Sequence, residues 1–267
     1  MAALKGQRRT KNRGRGPDFA AIPKVLIDTQ DYMNLTPSAL KLLWALVYQS
    51  NGKNNGDLTA ALSVVQRYGF NSKSNDTLNN AKELLIKNRL IVETRAGTFT
   101  NRLCSLYALT WLPINECKGK LSVKATSKPP RDFGQHHERY KLVGIPKVVM
   151  RNPDYFKLSG NALRMLVGLR YQYNKGNNGY LKATTSTMTR FGFKSDTTLI
   201  KAKRELLQRG FILEAMAGQF SNPNGRCALY AITWEAVDEN KIKLDIKPTR
   251  LPPRNFHWEE RERERAS

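Results

Sequence analysis

Six cations, Lys5, Arg8, Arg9, Lys11, Arg13 and Arg15, stand among the first 17 residues with no carboxylate between them. Groups of that kind bind phosphate, because each Lys or Arg that neutralises one releases condensed counterions whatever the base sequence. With little apolar content to bury, the stretch is expected to be disordered when free, an arm suited to entering a minor groove or following a backbone. The excess runs through the chain: Lys and Arg number 45 against 22 Asp and Glu, a formal charge of +23 over 267 residues. Residues 1–133 carry 21 basic and 9 acidic side chains, and the remainder 24 and 13. Both halves are therefore built to meet a polyanion.

Metal and covalent chemistry find no comparable pattern. Cys104, Cys117 and Cys227 show no CxxC spacing, the three histidines form no HxxxH, and the adjacent pair His136 and His137 has no third ligand. No metal, cofactor or disulfide framework is assigned, and a reducing cytosol fits. A Walker A loop, a Rossmann glycine fingerprint, HExxH, GxSxG and the His-apolar-His pair of a nickase are all missing, and the acids are scattered, so the chain is read as a binder and not an enzyme. No apolar run approaches the ~18 residues of a membrane span, and the N-terminus lacks a signal-peptide core. The expectation is a soluble, cytoplasmic, nucleoid-associated protein with no membrane partner.

The elements that position these charges come in two copies. Ile22-Pro23-Lys24-Val25 recurs as Ile145-Pro146-Lys147-Val148, and Asn54-Asn55-Gly56 as Asn177-Asn178-Gly179, each 123 positions on. Arg67-Tyr68-Gly69-Phe70 answers to Arg190-Phe191-Gly192-Phe193, and Pro129-Pro130-Arg131 to Pro252-Pro253-Arg254. Between about residues 75 and 101 the offset is 121, because the second copy lacks two residues before Thr197 and regains them at Pro223-Asn224. Two copies, each long enough to own a core, make a duplicated domain and not a solenoid. The division is a basic arm (1–17), unit one (18–133), a short polar linker (134–139) that permits some relative movement, unit two (140–256) and a charged tail (257–267) that can extend as a helix.

Within unit one, Thr36-Pro37 starts a helix, Thr as cap and Pro at the first helical position. Leu40, Leu43, Trp44 and Val47 form its buried face to about Ser50. A second helix is expected from Thr59 to Arg67, a turn at Tyr68 to Ser72, and a third helix from near Ser74 to Asn88-Arg89 with Leu78, Ala81 and Leu85 inward. A hairpin then pairs Leu90–Thr94 with Cys104–Leu109. Unit two repeats the order: Ser159 caps the first helix, the third spans Asp196 to Arg209, and Phe211–Ala215 pairs with Cys227–Ile232. Trp44, Trp111, Trp234, Tyr107 and Tyr230 are expected in the core, and Cys104 and Cys227 are expected as inert, inward-facing core thiols.

Helix, helix, turn, helix and hairpin, with Gly69-Phe70-Asn71-Ser72 and Gly192-Phe193-Lys194-Ser195 ahead of the third helices, resembles the winged-helix domains of transcription regulators and of plasmid and mobile-element replication initiators. The fold class expected is α+β, two tandem winged-helix units. The resemblance implies that each third helix enters a major groove, its first turns over base edges and its N–H groups near phosphate. The residues implied are Lys73, Ser74, Asn75, Thr77, Asn79, Asn80 and Lys82 in unit one, and Lys194, Ser195, Thr197, Thr198, Lys201 and Arg204 in unit two. Asn can pair with adenine and Lys can donate to guanine. Arg95, Thr98, Thr100 and Arg102 mark one hairpin tip, and Gln219, Asn222, Asn224 and Arg226 the other. The scaffold is shared while the reading residues differ, so two unlike half-sites on double-stranded DNA are expected, bound by a monomer with an oligomer left open. The alternatives are a sequence-tolerant RNA-binding or architectural nucleoid protein, and a protein–protein adaptor.

Overall fold

A computed structural model describes residues 18–98, 100, 103–132, 141–219, 225–239 and 242–266. Residues 1–17, with the whole basic arm, and the linker at 134–139 lie outside them.

The first copy opens with strand β1 (Phe19–Pro23) and two short helices, α1 (Lys24–Ile27) and α2 (Gln30–Met33). Helix α3 (Pro37–Gln49) follows, capped by the Thr36 hydroxyl, which accepts the Ala39 N–H at 3.2 Å. Next come β2 (Leu58–Thr59), α4 (Leu62–Val65), α5 (Asn75–Lys87), β3 (Ile91–Arg95) and β4 (Leu106–Leu109). The second copy repeats the order with β5 (Leu142–Pro146), α6 (Lys147–Met150), α7 (Pro153–Lys157), α8 (Gly160–Gln172), β6 (Leu181–Lys182), α9 (Thr185–Thr189), α10 (Asp196–Gln208), β7 (Ile212–Met216) and β8 (Leu229–Ile232). A last helix, α11 (Phe256–Ala266), packs its first turn on the second copy: Phe256 stacks on Phe211, and Glu260 pairs with Arg151. The whole is a mixed α+β protein with small antiparallel sheets, ordered β2-β4-β3 and β6-β8-β7.

The region before α5 differs from the helix expected over Thr59–Arg67. Thr59 belongs to a strand, paired with β4 opposite Leu106, and the Gln49 side chain occupies its backbone groups: its Nε2 donates to the Thr59 carbonyl and its Oε1 accepts the Thr59 N–H, both at 3.0 Å. Gln172 does the same to Lys182 in the second copy. Only Leu62–Val65 remains α-helical, prolonged by a tighter turn over Gln66–Tyr68. The return strands of the hairpins are also shorter than expected, while β3 and β7 keep the expected length one residue further on. β4 and β8 begin at Leu106 and Leu229, after bulges at Glu93/Arg95 and Glu214/Met216. Cys104 and Cys227 therefore precede the strands and are exposed, which corrects their reading as core thiols. Trp44, Trp111, Trp234, Tyr107 and Tyr230 are buried as expected.

The copies share one core. Most buried side chains from Ala20 to Phe256 form one contiguous cluster that draws on both, and a smaller cluster of Ala215, Met216, Leu229, Ala231, Val237 and Leu244 belongs to the second copy alone. α3 is buried on every side from Ala39 to Val47, packed against α5 and β1 of its own copy and α8 of the other. β1 pairs with β5 across the copies, Phe19 opposite Pro146 and Pro23 opposite Leu142, with Ala21 opposite Gly144 at the centre. Ala21 and Gly144 are the same position in the repeat. The pairing is thus unchanged when the copies are exchanged, which is the mark of a two-fold axis between like units.

The same exchange is written into the charged contacts. The Lys24 ammonium sits 4.5 Å from the Tyr171 ring centre and donates to the Tyr171 carbonyl. Its counterpart Lys147 sits 5.3 Å from the Tyr48 ring centre and donates to the Ser50 carbonyl at 3.0 Å. Gly160, the counterpart of Pro37, lies against it so closely that a Cβ there would stand 2.3 Å from the Pro37 carbonyl oxygen.

Candidate nucleic-acid interface

α5 and α10 are built alike, 121 residues apart. Leu78, Ala81 and Leu85 face inward on one, and Leu199, Ala202 and Leu206 on the other. The Ser74 hydroxyl caps α5 by accepting the Thr77 N–H at 3.3 Å. α10 starts differently: Ser195 makes no such bond, and the Thr185 hydroxyl instead donates to Asp196 at 2.6 Å, tying α9 to α10. Asp76 and Asp196 place a carboxylate in the first turns, where the partial positive charge of a helix start favours it.

Of the residues expected to read bases, Lys73, Ser74, Asn75, Asn79 and Asn80 are exposed on or just before α5, while Thr77 and Lys82 are half-buried on its flank. On the second copy Lys194, Ser195, Thr197, Lys201 and Arg204 are exposed, and Thr198 is half-buried. A helix in a groove presents residues i, i+3, i+4 and i+7. On α5 that outward stripe is Asp76, Asn79, Asn80 and Glu83, and on α10 it is Thr197, Ile200, Lys201 and Arg204, all exposed. Asp76, Glu83 and Ile200 were missed by selecting polar and basic residues alone; laying the copies over each other at the 121 offset is the signal that finds them.

Each helix start is held by the opposite copy. The turns before α5 and α10 pass through Gly69 (φ +93°) and Gly192 (φ +90°), a left-handed conformation that side chains resist. A Cβ at Gly69 would lie 3.2 Å from the Tyr155 ring, and one at Gly192 would lie 2.3 Å from the Met33 carbonyl oxygen. Beside them the Arg164 guanidinium donates to the carbonyls of Met33 and Phe191, both at 3.0 Å, and of Leu35. Burial pushes its pKa below the usual guanidinium value. The same burial drives the Lys41 ammonium down to about 8.

The hairpins stand beside these helices. Arg95 is half-buried and spent within the protein: it donates to the Cys104 carbonyl at 2.9 Å and to the Lys120 carbonyl at 3.3 Å, so it braces the hairpin base. Thr98 pairs with Leu103, and Gln219 with the exposed Arg226, through reciprocal backbone bonds. Arg102, Asn222 and Asn224 lie outside the described residues, as do Lys5, Arg8, Arg9, Lys11, Arg13 and Arg15. Between α10 and the second hairpin runs an open groove of about 1070 Å3, walled by Ile200, Ala228 and Tyr230 and carrying Asp196, Lys203 and Arg226.

Among the described residues no group of three or more His, Cys, Asp or Glu side chains is placed to hold a metal ion, and no helix is long and apolar enough to cross a membrane. No family model, curated protein or solved structure matches this chain.

Proposed function

We propose that this chain binds double-stranded DNA with its two copies as winged-helix readers, α5 and α10 each in a major groove, and serves as a transcription regulator or a plasmid-type replication initiator. The observation that carries the reading is a pair of like helices, each with an exposed stripe at groove-reading spacing, fixed to each other through a common core and related by exchange of the copies. The +23 charge supplies the sequence-independent attraction.

Two consequences follow from the exchange symmetry. Half-sites bound by units related in this way run in opposite directions along the duplex, because operator symmetry mirrors protein symmetry. The stripes differ, so the inverted halves are unlike. The half-site separation is set by the shared core and does not adapt to spacing.

Selection from a randomised duplex pool, followed by sequencing, tests this. The expected product is an imperfect inverted repeat of fixed spacing. Asn79→Ala with Asn80→Ala relaxes one half, and Lys201→Ala with Arg204→Ala the other. Enrichment of nothing favours a sequence-tolerant architectural or RNA-binding role, and absence of salt-sensitive binding removes nucleic acid as the partner.

A further inference from the structure

The repeat places two chemically opposite side chains at one position of the outward stripes. Asn79 stands on α5, and its counterpart on α10 is Ile200, 48% exposed. Isolated apolar residues on a surface are ordinary; this one sits centrally in a stripe whose other members, Thr197, Lys201 and Arg204, are polar or cationic. It also forms part of the wall of the groove between α10 and the hairpin, where the cations Lys203 and Arg226 outnumber the one carboxylate, Asp196. Those cations suit a polyanion, so the occupant that an apolar side chain meets here must offer an apolar feature within a negatively charged surface.

A duplex has one such feature in its major groove, the 5-methyl group of thymine. Asn at the equivalent position has a different demand, since its carboxamide matches the N6 and N7 of adenine in a two-bond pairing. Resting on the duplex-binding reading above, we propose that Ile200 is a specificity-determining residue that reads a thymine methyl, while Asn79 reads adenine at the symmetry-related position of the other half-site. Two identical readers related by a two-fold axis would select the same base at both positions on their contacted strands. This chain selects adenine in one half and thymine in the other, so the inverted repeat is broken at that position, and the break orients the protein on its site.

The rest of each stripe agrees. Asp76 and Glu83 on α5 are repelled by phosphate and accept hydrogen bonds from base amines, so that stripe is confined to base edges. Arg204, the counterpart of Glu83, and Lys201, the counterpart of Asn80, suit phosphate or guanine. The α10 half therefore carries more of the salt-dependent affinity, and the α5 half more of the selectivity.

The test uses the full chain and the selected duplex, with each thymine replaced singly by deoxyuridine, which removes the methyl group and nothing else. One replacement, in the half-site that Lys201→Ala weakens, is expected to cost roughly fourfold in affinity, the factor that burial of one methyl confers. Ile200→Ala is expected to bind the thymine duplex as weakly as the wild type binds the uracil duplex and to be indifferent to the replacement. Ile200→Asn should move the selected base at that position toward adenine. Ile200 is exposed, and an unchanged urea midpoint secures the fold of both variants. A wild type that selects two half-sites yet ignores every thymine replacement overturns the proposal and leaves the duplex reading standing. Failure to bind duplex at all overturns both.

Discussion

Lys41 and Arg164 hold the same position in the two copies, and each donates two hydrogen bonds into the backbone of the opposite copy. Lys41 reaches the carbonyls of Phe156, at 3.3 Å, and Leu158. Arg164 reaches those of Met33, at 3.0 Å, and Leu35, which are the counterparts of Phe156 and Leu158. Both side chains are almost wholly buried, Lys41 at 3% and Arg164 at 4% exposure. The cations therefore lock the copies together where the chain turns from one short helix into the next long one.

Arg164→Met strips the donor from three carbonyls, those of Met33, Leu35 and Phe191. At ~1 kcal/mol or more for each buried acceptor left unpaired, a loss of about 3 kcal/mol is expected in urea unfolding. Arg164→Lys should recover part of it, since a lysine does the corresponding work in the other copy. A methionine variant as stable as the wild type would show the bonds to be incidental.

Lys41 makes stability depend on pH in a defined window. Burial holds its folded pKa at about 8, with Glu205 opposing the shift and Arg209 adding to it, whereas the ordinary value is 10.5. Below pH 8 both states carry the proton and the penalty is complete and constant. Between 8 and 10.5 the unfolded chain keeps a proton that the folded one has shed, so this group's contribution rises with pH. Measured against Lys41→Met, the wild type should gain stability from pH 7.5 to 9.5. A constant difference between the two proteins across that range would refute the assignment.

Asn55 ties the first copy's sheet to the segment that follows it. Its Nδ2 donates to the carbonyls of Leu109, Leu112 and Pro113, each at 3.0 Å, and its Oδ1 accepts the Leu109 N–H at 2.7 Å. Asn178 makes the same four bonds in the second copy. Asn55→Asp turns a donor toward three carbonyl oxygens into a carboxylate, and a loss of about 3 kcal/mol or more is expected. Asn178→Asp should cost a similar amount. Because the core is continuous, each variant should still melt in one transition that carries both copies with it. Two resolved transitions would mean that the copies unfold independently.

Deleting residues 1–17 removes six cations. If they neutralise phosphates, the slope of log affinity against log salt on duplex DNA falls in magnitude by up to about 5, at ~0.9 per phosphate contacted. The selected consensus should keep both half-sites. An unchanged slope would assign the arm no role on the backbone.

The legible part of this protein was its local part. The long helices declare themselves through apolar spacing and through caps at Thr36, Ser74 and Ser159, whose hydroxyls accept N–H groups three residues on. The strands at Leu58–Thr59 and Leu181–Lys182 were not legible, because distant strands β4 and β8 and the side chains of Gln49 and Gln172 hold them, and two residues carry no periodicity. Cys104 and Cys227 were misplaced because a bulge shifts the register of each hairpin. One signal was present and unused. Leu42, Ala45 and Leu46 lie off the expected face of α3, and their apolar character meant burial beyond α5; α3 also packs on α8 of the other copy and on β1.

The sequence by itself determined that the chain is a duplication, where each long helix begins, which face of it is apolar, and that the outward faces of α5 and α10 differ. These depend on residues within a few positions of one another, or on laying the chain over itself. Tertiary structure alone decided that the copies form one body. Phe19–Pro23 finds its partner strand at Leu142–Pro146, and Lys41 its acceptors at Phe156 and Leu158, more than 100 residues away. Side-chain spacing tells a segment that it must pair or be buried, and carries no information about which distant surface will meet that need.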